Sequence, residues 1–460
     1  MENIKEYIDG NRTRFLGELF ELLRIPSVSA DPDAAAEMQR CAEWLRDALL
    51  KAGAGKAEIF PDDGPPVVYG EKIVDPALPT VLVYGHYDVM PADPVEKWQS
   101  PPFEPEVRDG KIWARGADDD KGQGFMHLKA FEAMVATGTL PCNVKFMFEG
   151  EEEIGSRVIT DWCEKHKGML AADIILVSDT SLIGMAPPSI TAGLRGLSYF
   201  EIEVAGPNRD LHSGLYGGSV ANPINVLAGM IASLTDGQGR ITIPGFYDQV
   251  REFSDAERAE INAAPFSEQD FMESIGVDRL TGEAGYTTLE RRGIRPTMDV
   301  CGIWGGYTGE GSKTIIPSKA HAKISTRLVP DQTSEAVNRI FSEHFTKIAP
   351  PGVVVKVTPT YDGNPYISPT GTPDYRAAAE AITATFGARP VPFYSGGSIP
   401  IISTFERVLG IKSILIGFGL DTDAIHSPNE NFPIENFYLG IETIPLFYAN
   451  FARLTKGSDQ

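Results

Sequence analysis

The sequence predicts an α/β fold: a mostly parallel sheet flanked by helices in a discontinuous larger domain, with a smaller α+β domain inserted. Three observations predict it. Short apolar runs at Thr80-Val81-Leu82-Val83-Tyr84, Val144 to Phe148 and Ile174 to Val177 each suit a buried parallel strand. Helical patterns such as Phe125 to Ala136 alternate with them. The alternation changes rhythm at Gly193-Leu194-Arg195-Gly196 and resumes from Thr372, and 460 residues are too many for one ordinary core.

Taken in order, residues 1–195 carry the first part of the larger domain. Its opening segment reads as an amphipathic helix that ends before Pro26. Residues 196–368 read as the insertion. Ser198 to Val204 alternates as a half-buried strand, Pro223 to Leu234 reads as a helix, and 240–298 is irregular and charged. The strand Ala320 to Leu328, the helix Ser334 to Ile348 and the strand Val353 to Thr358 complete it. Residues 369–460 return to the larger domain with the helix Asp374 to Phe386, the strand Ser413 to Ile416 and a long helix from Ile434.

Composition narrows the function. The net charge of −22, from 41 Lys+Arg against 63 Asp+Glu, argues against partners such as nucleic acid or an anionic membrane surface. It favours a soluble enzyme of small molecules. Cys41, Cys142, Cys163 and Cys301 lie far apart with no Cys-x-x-Cys spacing, so a reducing, cytoplasmic setting is expected. No signal-peptide pattern is evident, and no apolar run reaches the about 18 residues a membrane span needs.

Two acidic runs carry the chemistry: Asp118-Asp119-Asp120-Lys121-Gly122 and Glu149-Gly150-Glu151-Glu152-Glu153. Each follows an apolar stretch and reads as the opening of a helix, which gathers carboxylates at the rim of a sheet. Such crowding is costly unless cations neutralise it. In open α/β sheets ligands sit beyond the carboxyl ends of strands. His86-Tyr87-Asp88, Ser178-Asp179 and His426 add metal-binding groups. Taken singly, each has an ordinary explanation: a hydrogen-bonded His–Asp pair, or carboxylates complementing a helix macrodipole. Their coincidence at strand ends supplies the ligand set of a two-metal hydrolase. Other chemistries fit poorly. Gly306 to Thr314 fails the phosphate-loop spacing because Ser312 separates Gly311 from Lys313. No Gly-x-Ser-x-Gly elbow marks a serine nucleophile.

Specific motifs resemble the co-catalytic zinc amidohydrolases, a family of aminoacylases, deacetylases, glutamate carboxypeptidases and nonspecific dipeptidases. They are Gly85-His86-Tyr87-Asp88-Val89, Gly116 to Gly122, Glu149 to Ser156, Val177-Ser178-Asp179, Asp210-Leu211-His212-Ser213-Gly214, Ser325 to Pro330, Gly396 to Pro400 and His426 to Glu430. They run in order over nearly the whole chain. The branch most resembled is the cytosolic nonspecific dipeptidase of carnosinase type, on His86 to Val89, Asp119 to Gly122, Asp210 to Gly218 and Gly397 to Pro400. Two positions depart from it, Met90 and the acidic Asp118, and Asp118 adds charge beside the bridge.

The resemblance implies roles. His86 and Asp179 would hold one metal, Glu153 and His426 the other, and Asp119 would bridge both, with a cis peptide expected at Asp119-Asp120. Asp88 would orient His86, and Glu152 would be the general base; the spacing to Gly155-Ser156 favours Glu152 and Glu153 over Glu151. His212 would stabilise the oxyanion, reaching the other subunit of a homodimer built on the inserted lid domain. Arg327, Thr314, Gly397 and Ser398 would hold substrate ends, with the Arg327 guanidinium pairing a carboxylate.

Two divalent ions about 3.5–4 Å apart can share one water, lower its pKa and polarise a carbonyl. Imidazole with carboxylate suits Zn²⁺, and Mn²⁺ or Co²⁺ would also be accepted. The expected reaction is hydrolysis of a dipeptide amide by a metal-bridging hydroxide, with Glu152 moving the proton. An N-acyl amino acid deacylase or a carboxypeptidase shares the same metals and stays an open alternative, as does a catalytically dead binding protein, against which the intact ligand set argues.

Overall fold

The computed structural model describes residues 2–61, 64–397 and 399–456. In chain order its longer strands are β1 (Lys56–Phe60), β2 (Val67–Lys72), β3 (Thr80–His86), β4 (Asn143–Glu149), β5 (Ile174–Val177), β6 (Ser189–Leu194), β7 (Gly196–Ala205), β8 (Thr297–Gly305), β9 (Lys319–Leu328), β10 (Val354–Gly363), β11 (Tyr366–Ile367), β12 (Val391–Ser395) and β13 (Ser413–Leu415). The main helices are α1 (Glu2–Leu23), α2 (Ala35–Lys51), α3 (Lys121–Ala136), α4 (Pro223–Ala232), α5 (Ser334–Lys347), α6 (Pro373–Phe386), α7 (Pro400–Leu409) and α8 (Ile434–Lys456).

Among the described residues nine strands form a large sheet in the order β1-β2-β4-β3-β5-β13-β6-β11, with β12 also on β6. Its centre is parallel, β4-β3-β5-β13, and β12 runs parallel to β6. Antiparallel pairs extend it on both sides, so the sheet as a whole is mixed. The central strands are buried along their length, because helices cover both faces and leave no solvated side. One face carries α1, α2, α3, α6 and α8, and the other carries α7. Helix α3 is buried on every side from Lys121 to Met134, since α1 and α8 close over the side away from the sheet.

The second sheet is antiparallel, in the order β8-β9-β7-β10. The strict alternation along β7 and β9 puts Phe200, Ile202, Val204, Ala322 and Ile324 on one face, against Leu227 of α4 and Phe341 of α5. The chain leaves the large sheet between β6 and β7 and re-enters it between β10 and β11.

Two local expectations are corrected. The run Glu149 to Glu153 opens only a single 3₁₀ turn, Glu152–Ile154, which Gly155 ends at φ +94. The Asp88 carboxylate accepts the N–H groups of Glu152 and Glu153 and holds the turn against the sheet rim. The segment 240–298 is more ordered than its composition suggests. It holds the helices Asp255–Ile261, Glu268–Ile275 and Thr288–Gly293, two of them started by capping boxes at Ser254/Glu257 and Thr287/Glu290.

Glycine is structurally required at position 122. A Cβ there would lie 1.8 Å from the Ala117 carbonyl oxygen, so the turn carrying Asp118 to Asp120 would be forced outward. Gly122→Ala is therefore expected to cost about 1–3 kcal/mol as an overpacked backbone contact. The expected result is a lowered thermal unfolding midpoint together with weakened metal binding; an unchanged midpoint would show that the turn relaxes freely.

Candidate metal centre

His86 is the last residue of β3, in register with Glu149 at the end of β4. Asp179 follows β5 by two residues. Asp119 precedes α3, Glu153 sits in the 3₁₀ turn after β4, and His426 comes from the loop before α8. These five residues converge as two donor sets, His86/Asp119/Asp179 and Asp119/Glu153/His426, each with its atoms within 4.8 Å of one another. Asp119 belongs to both. Its Oδ1 lies 3.1 Å from His86 Nε2 and its Oδ2 2.9 Å from His426 Nε2. His86 Nε2 is also 3.9 Å from Asp179 Oδ1, and His426 Nε2 is 3.1 Å from Glu153 Oε2. The Asp119-Asp120 peptide is cis.

Asp88 orients His86 mainly through its main-chain carbonyl, 3.0 Å from Nδ1, with its carboxylate at 3.4 Å. Asp120 holds the backbone of the same residue, its Oδ2 accepting the His86 main-chain N–H at 3.1 Å. Glu430 does for Asp119 what Asp88 does for the turn. Its buried carboxylate accepts from the N–H groups of Gly116, Asp118 and Asp119 and from Arg115 Nη1. In the sequence Glu430 only closes the motif His426 to Glu430, and nothing local marks its role. The extra Asp118 turns away from the cluster: its carboxylate reaches Gly419, where a Cβ would lie 2.4 Å from Oδ2.

Proton affinities report the crowding. Burial pushes the Glu152 carboxyl up to about 7, reinforced by Asp119, Glu153 and Asp88. Burial likewise lifts Asp179 well above the carboxylate range, with repulsion from Asp119 and Asp120 adding to it. Asp119 is the exception. Burial would raise it, but hydrogen bonds with His426 and His86 hold it below the usual range. His426 is pushed up to about 10, first by Asp119 and then by Glu153. Carboxyls raised by burial and an imidazole raised by carboxylates are the mark of acidic groups crowded together. The donor set thus fits divalent metal ions: imidazole nitrogen and carboxylate oxygen, held in place by buried partners.

The cluster opens into a cleft of about 520 Å³, within the size range of small-molecule sites. Glu152 and Gly397 line it, as do Arg195 and Arg292, which sequence reading did not single out. Three expected residues stand elsewhere in the chain's surface. His212 and Thr314 are exposed neighbours, with the Ser213 N–H donating to the Thr314 carbonyl at 3.0 Å, and neither lines the cleft. Arg327 is half-buried on β9, near enough to Arg195 to affect its proton affinity. Ser398 lies outside the described residues.

Such a donor set defines a class, the hydrolases that work with divalent metal. Residues 82–450 match Peptidase family M20/M25/M40, and the chain belongs to that family. It is similar to the Cys-Gly metallodipeptidase dug1 of Schizosaccharomyces pombe, 35% identical with 96% of each chain covered. It is also similar to the Beta-Ala-His dipeptidase of Homo sapiens, 33% identical over 99% of this chain and 93% of the other. Among solved structures it resembles the M20 family metallo-carboxypeptidase Sso-CP2 from Sulfolobus solfataricus, with a TM-score of 0.85, 34% identity, and 95% and 99% of the two chains covered. The protein is an enzyme, a metallopeptidase.

A metal ligand imidazole must be neutral, so loading the site at neutral pH displaces protons. His426 has its proton affinity raised from 6.5 to about 10. In the metal-free protein its pairing is stabilising below pH 6.5 and is lost as pH rises through about 10, whereas metal affinity climbs over the same interval. Calorimetric titration with Zn²⁺ at pH 7 in buffers of different ionisation enthalpy is expected to report proton release. A heat independent of buffer would contradict this.

Proposed function

We propose that this chain is a two-metal dipeptidase. His86 and Asp179 would hold one ion, Glu153 and His426 the other, and Asp119 both. The supporting observation is that one aspartate divides its two oxygens between two separate imidazole–carboxylate sets. Nitrogen and oxygen donors favour Zn²⁺, with Mn²⁺ or Co²⁺ as substitutes. When bound, a pair of such ions acidifies a shared water and polarises the amide carbonyl. The chain's own contribution is proton transfer and positioning. The Glu152 carboxylate accepts a proton from the attacking water and delivers it to the departing amine nitrogen. Glu430 and Asp88 keep Asp119 and the Glu152–Glu153 turn fixed while this happens. Arg327 and the Gly397 loop would hold the substrate ends, as the motif resemblance implies.

Both relatives described above are named as dipeptidases, which supports a dipeptide substrate. Carboxypeptidase action is the second reading, favoured by the likeness to Sso-CP2; N-acyl amino acid deacylation is the third outcome to be tested. The deciding assay is a panel of dipeptides, longer peptides and N-acyl amino acids with metal-stripped protein reloaded with Zn²⁺, Mn²⁺ or Co²⁺. Chelation should abolish activity and reloading restore it. Dipeptide cleavage without turnover of longer or acylated substrates is expected. Glu152→Ala should retain its metal while losing about 10²–10⁴ in turnover. An active Glu152→Ala protein would remove the general-base assignment.

The inserted unit, residues 196–368, is proposed as a lid and dimerisation domain. Support comes from the exposed apolar groups Leu215, Val300, Ile303 and Trp304, three of them on β8, an edge strand. His212 stands apart from the cleft in its own chain, which fits delivery into a partner's site. The four cysteines form no disulfide, and no helix among the described residues is long and apolar enough to cross a membrane. These facts support a cytoplasmic setting. If His212 acts in trans, mixing inactive His212→Ala with inactive Glu152→Ala should rebuild one intact site per mixed dimer, and so about a quarter of wild-type activity for random pairing. No recovery after subunit exchange would place His212 in cis or outside catalysis.

A further inference from the structure

The cleft that holds the carboxylate cluster is also lined by Arg195 and Arg292, which form no ion pair among the described residues. Arg195 sits at the turn from β6 into β7 and is bound to the Gly396–Gly397 loop. Its N–H donates to the Gly397 carbonyl and its Nε to the Gly396 carbonyl, both at 3.1 Å. Its Nη2 lies 3.2 Å from the place a Cβ on residue 396 would occupy, so glycine there leaves room for the guanidinium. Arg292 comes from the end of the helix Thr288–Gly293 and lies over the Phe271 ring at 5.0 Å. Stacking of this kind holds a guanidinium plane while leaving its edge free for hydrogen bonds. Both residues line the cleft with Asp119 and Glu152.

Among the described residues no carboxylate lies within ion-pair distance of Arg195 or Arg292, although the chain carries 63 acidic residues. Burial, and then the nearby Arg327 and Arg292, push the Arg195 proton affinity down to about 10, while Asp299 eases it only at longer range. The Arg195 and Arg292 guanidiniums repel each other, and an anion entering the cleft would relieve that repulsion. Each also offers a planar fork that matches a carboxylate.

We propose that Arg195 and Arg292 form a recognition site for a second substrate carboxylate, so that the preferred substrates are dipeptides with an acidic side chain. The inference rests on the dipeptidase reading. Arg327 is assigned the terminal carboxylate, which leaves the other two guanidiniums to an aspartate or glutamate side chain. A neutral side chain leaves them uncompensated, and a basic one meets direct repulsion.

The test compares the isosteric pairs Ala-Glu with Ala-Gln and Glu-Ala with Gln-Ala, using metal-loaded wild-type enzyme and the variants Arg292→Gln and Arg292→Lys. At low salt, the acidic member of at least one pair is expected to have a kcat/KM about tenfold higher, carried mainly by KM. In Arg292→Gln that ratio should fall towards one, and Arg292→Lys should recover part of it. Titration of acidic and amide peptides into metal-free protein should show the same preference in binding alone. Neutral dipeptides cleaved with no acidic preference would overturn this inference and leave the dipeptidase reading standing. An acidic preference that survives in a folded Arg292→Gln would also overturn it. No dipeptide cleavage by the metal-loaded enzyme would overturn both.

Discussion

The site depends on one carboxylate placed between two imidazoles. Asp119 gives Oδ1 to His86 and Oδ2 to His426, and neither histidine could be replaced from its own neighbourhood in sequence. A carboxylate serving two positive centres must be held rigidly, because a small rotation would favour one centre over the other. The structure holds it by its backbone. Glu430 accepts the N–H groups on either side of Asp118 and the guanidinium of Arg115, in a pocket closed to solvent. A buried ion pair of this kind is costly to assemble and more costly to break. Its value here is positional.

The large sheet turns that local constraint into a site. Its parallel centre delivers His86, the Glu152–Glu153 turn and Asp179 to one rim, since parallel neighbours end on the same side. Asp88 ties two of these deliveries together by orienting His86 and accepting the N–H groups of Glu152 and Glu153. The consequence is a crowd of buried carboxylates at one rim. Cations are the complement that such a rim is built to take. The opposite sign of charge appears in the same cleft on Arg195 and Arg292. Groups of opposite charge therefore line one cleft.

The second sheet behaves differently. It shares Tyr361 with the rim, where the ring approaches Gly155, yet it leaves His212 and Thr314 in solvent. Residues that motif order alone would group with the metal ligands are thus separated from them by the fold of a single chain. That separation shows why a motif is a statement about chemistry and not about distance.

Part of the donor cluster was legible because His86 and Asp179 follow apolar strands whose ends can be read locally. His86 closes the run from Thr80, and Asp179 follows Ile174 to Val177. The helical pattern of Phe125 to Ala136 was equally plain. The sequence alone determined the donor types, their order and the alternation that sets them on a sheet rim. Only the tertiary structure decided the supports: Glu430 bonding Arg115 across 315 positions, Asp120 turned to the His86 N–H, and Arg195 and Arg292 facing a common cleft. It also decided that Glu149 to Glu153 stops after one turn, where Gly155 takes a left-handed conformation at φ +94. The physical reason is the same throughout. A strand or helix is written in neighbouring side chains, whereas a buried hydrogen bond between distant segments depends on packing that no local pattern encodes.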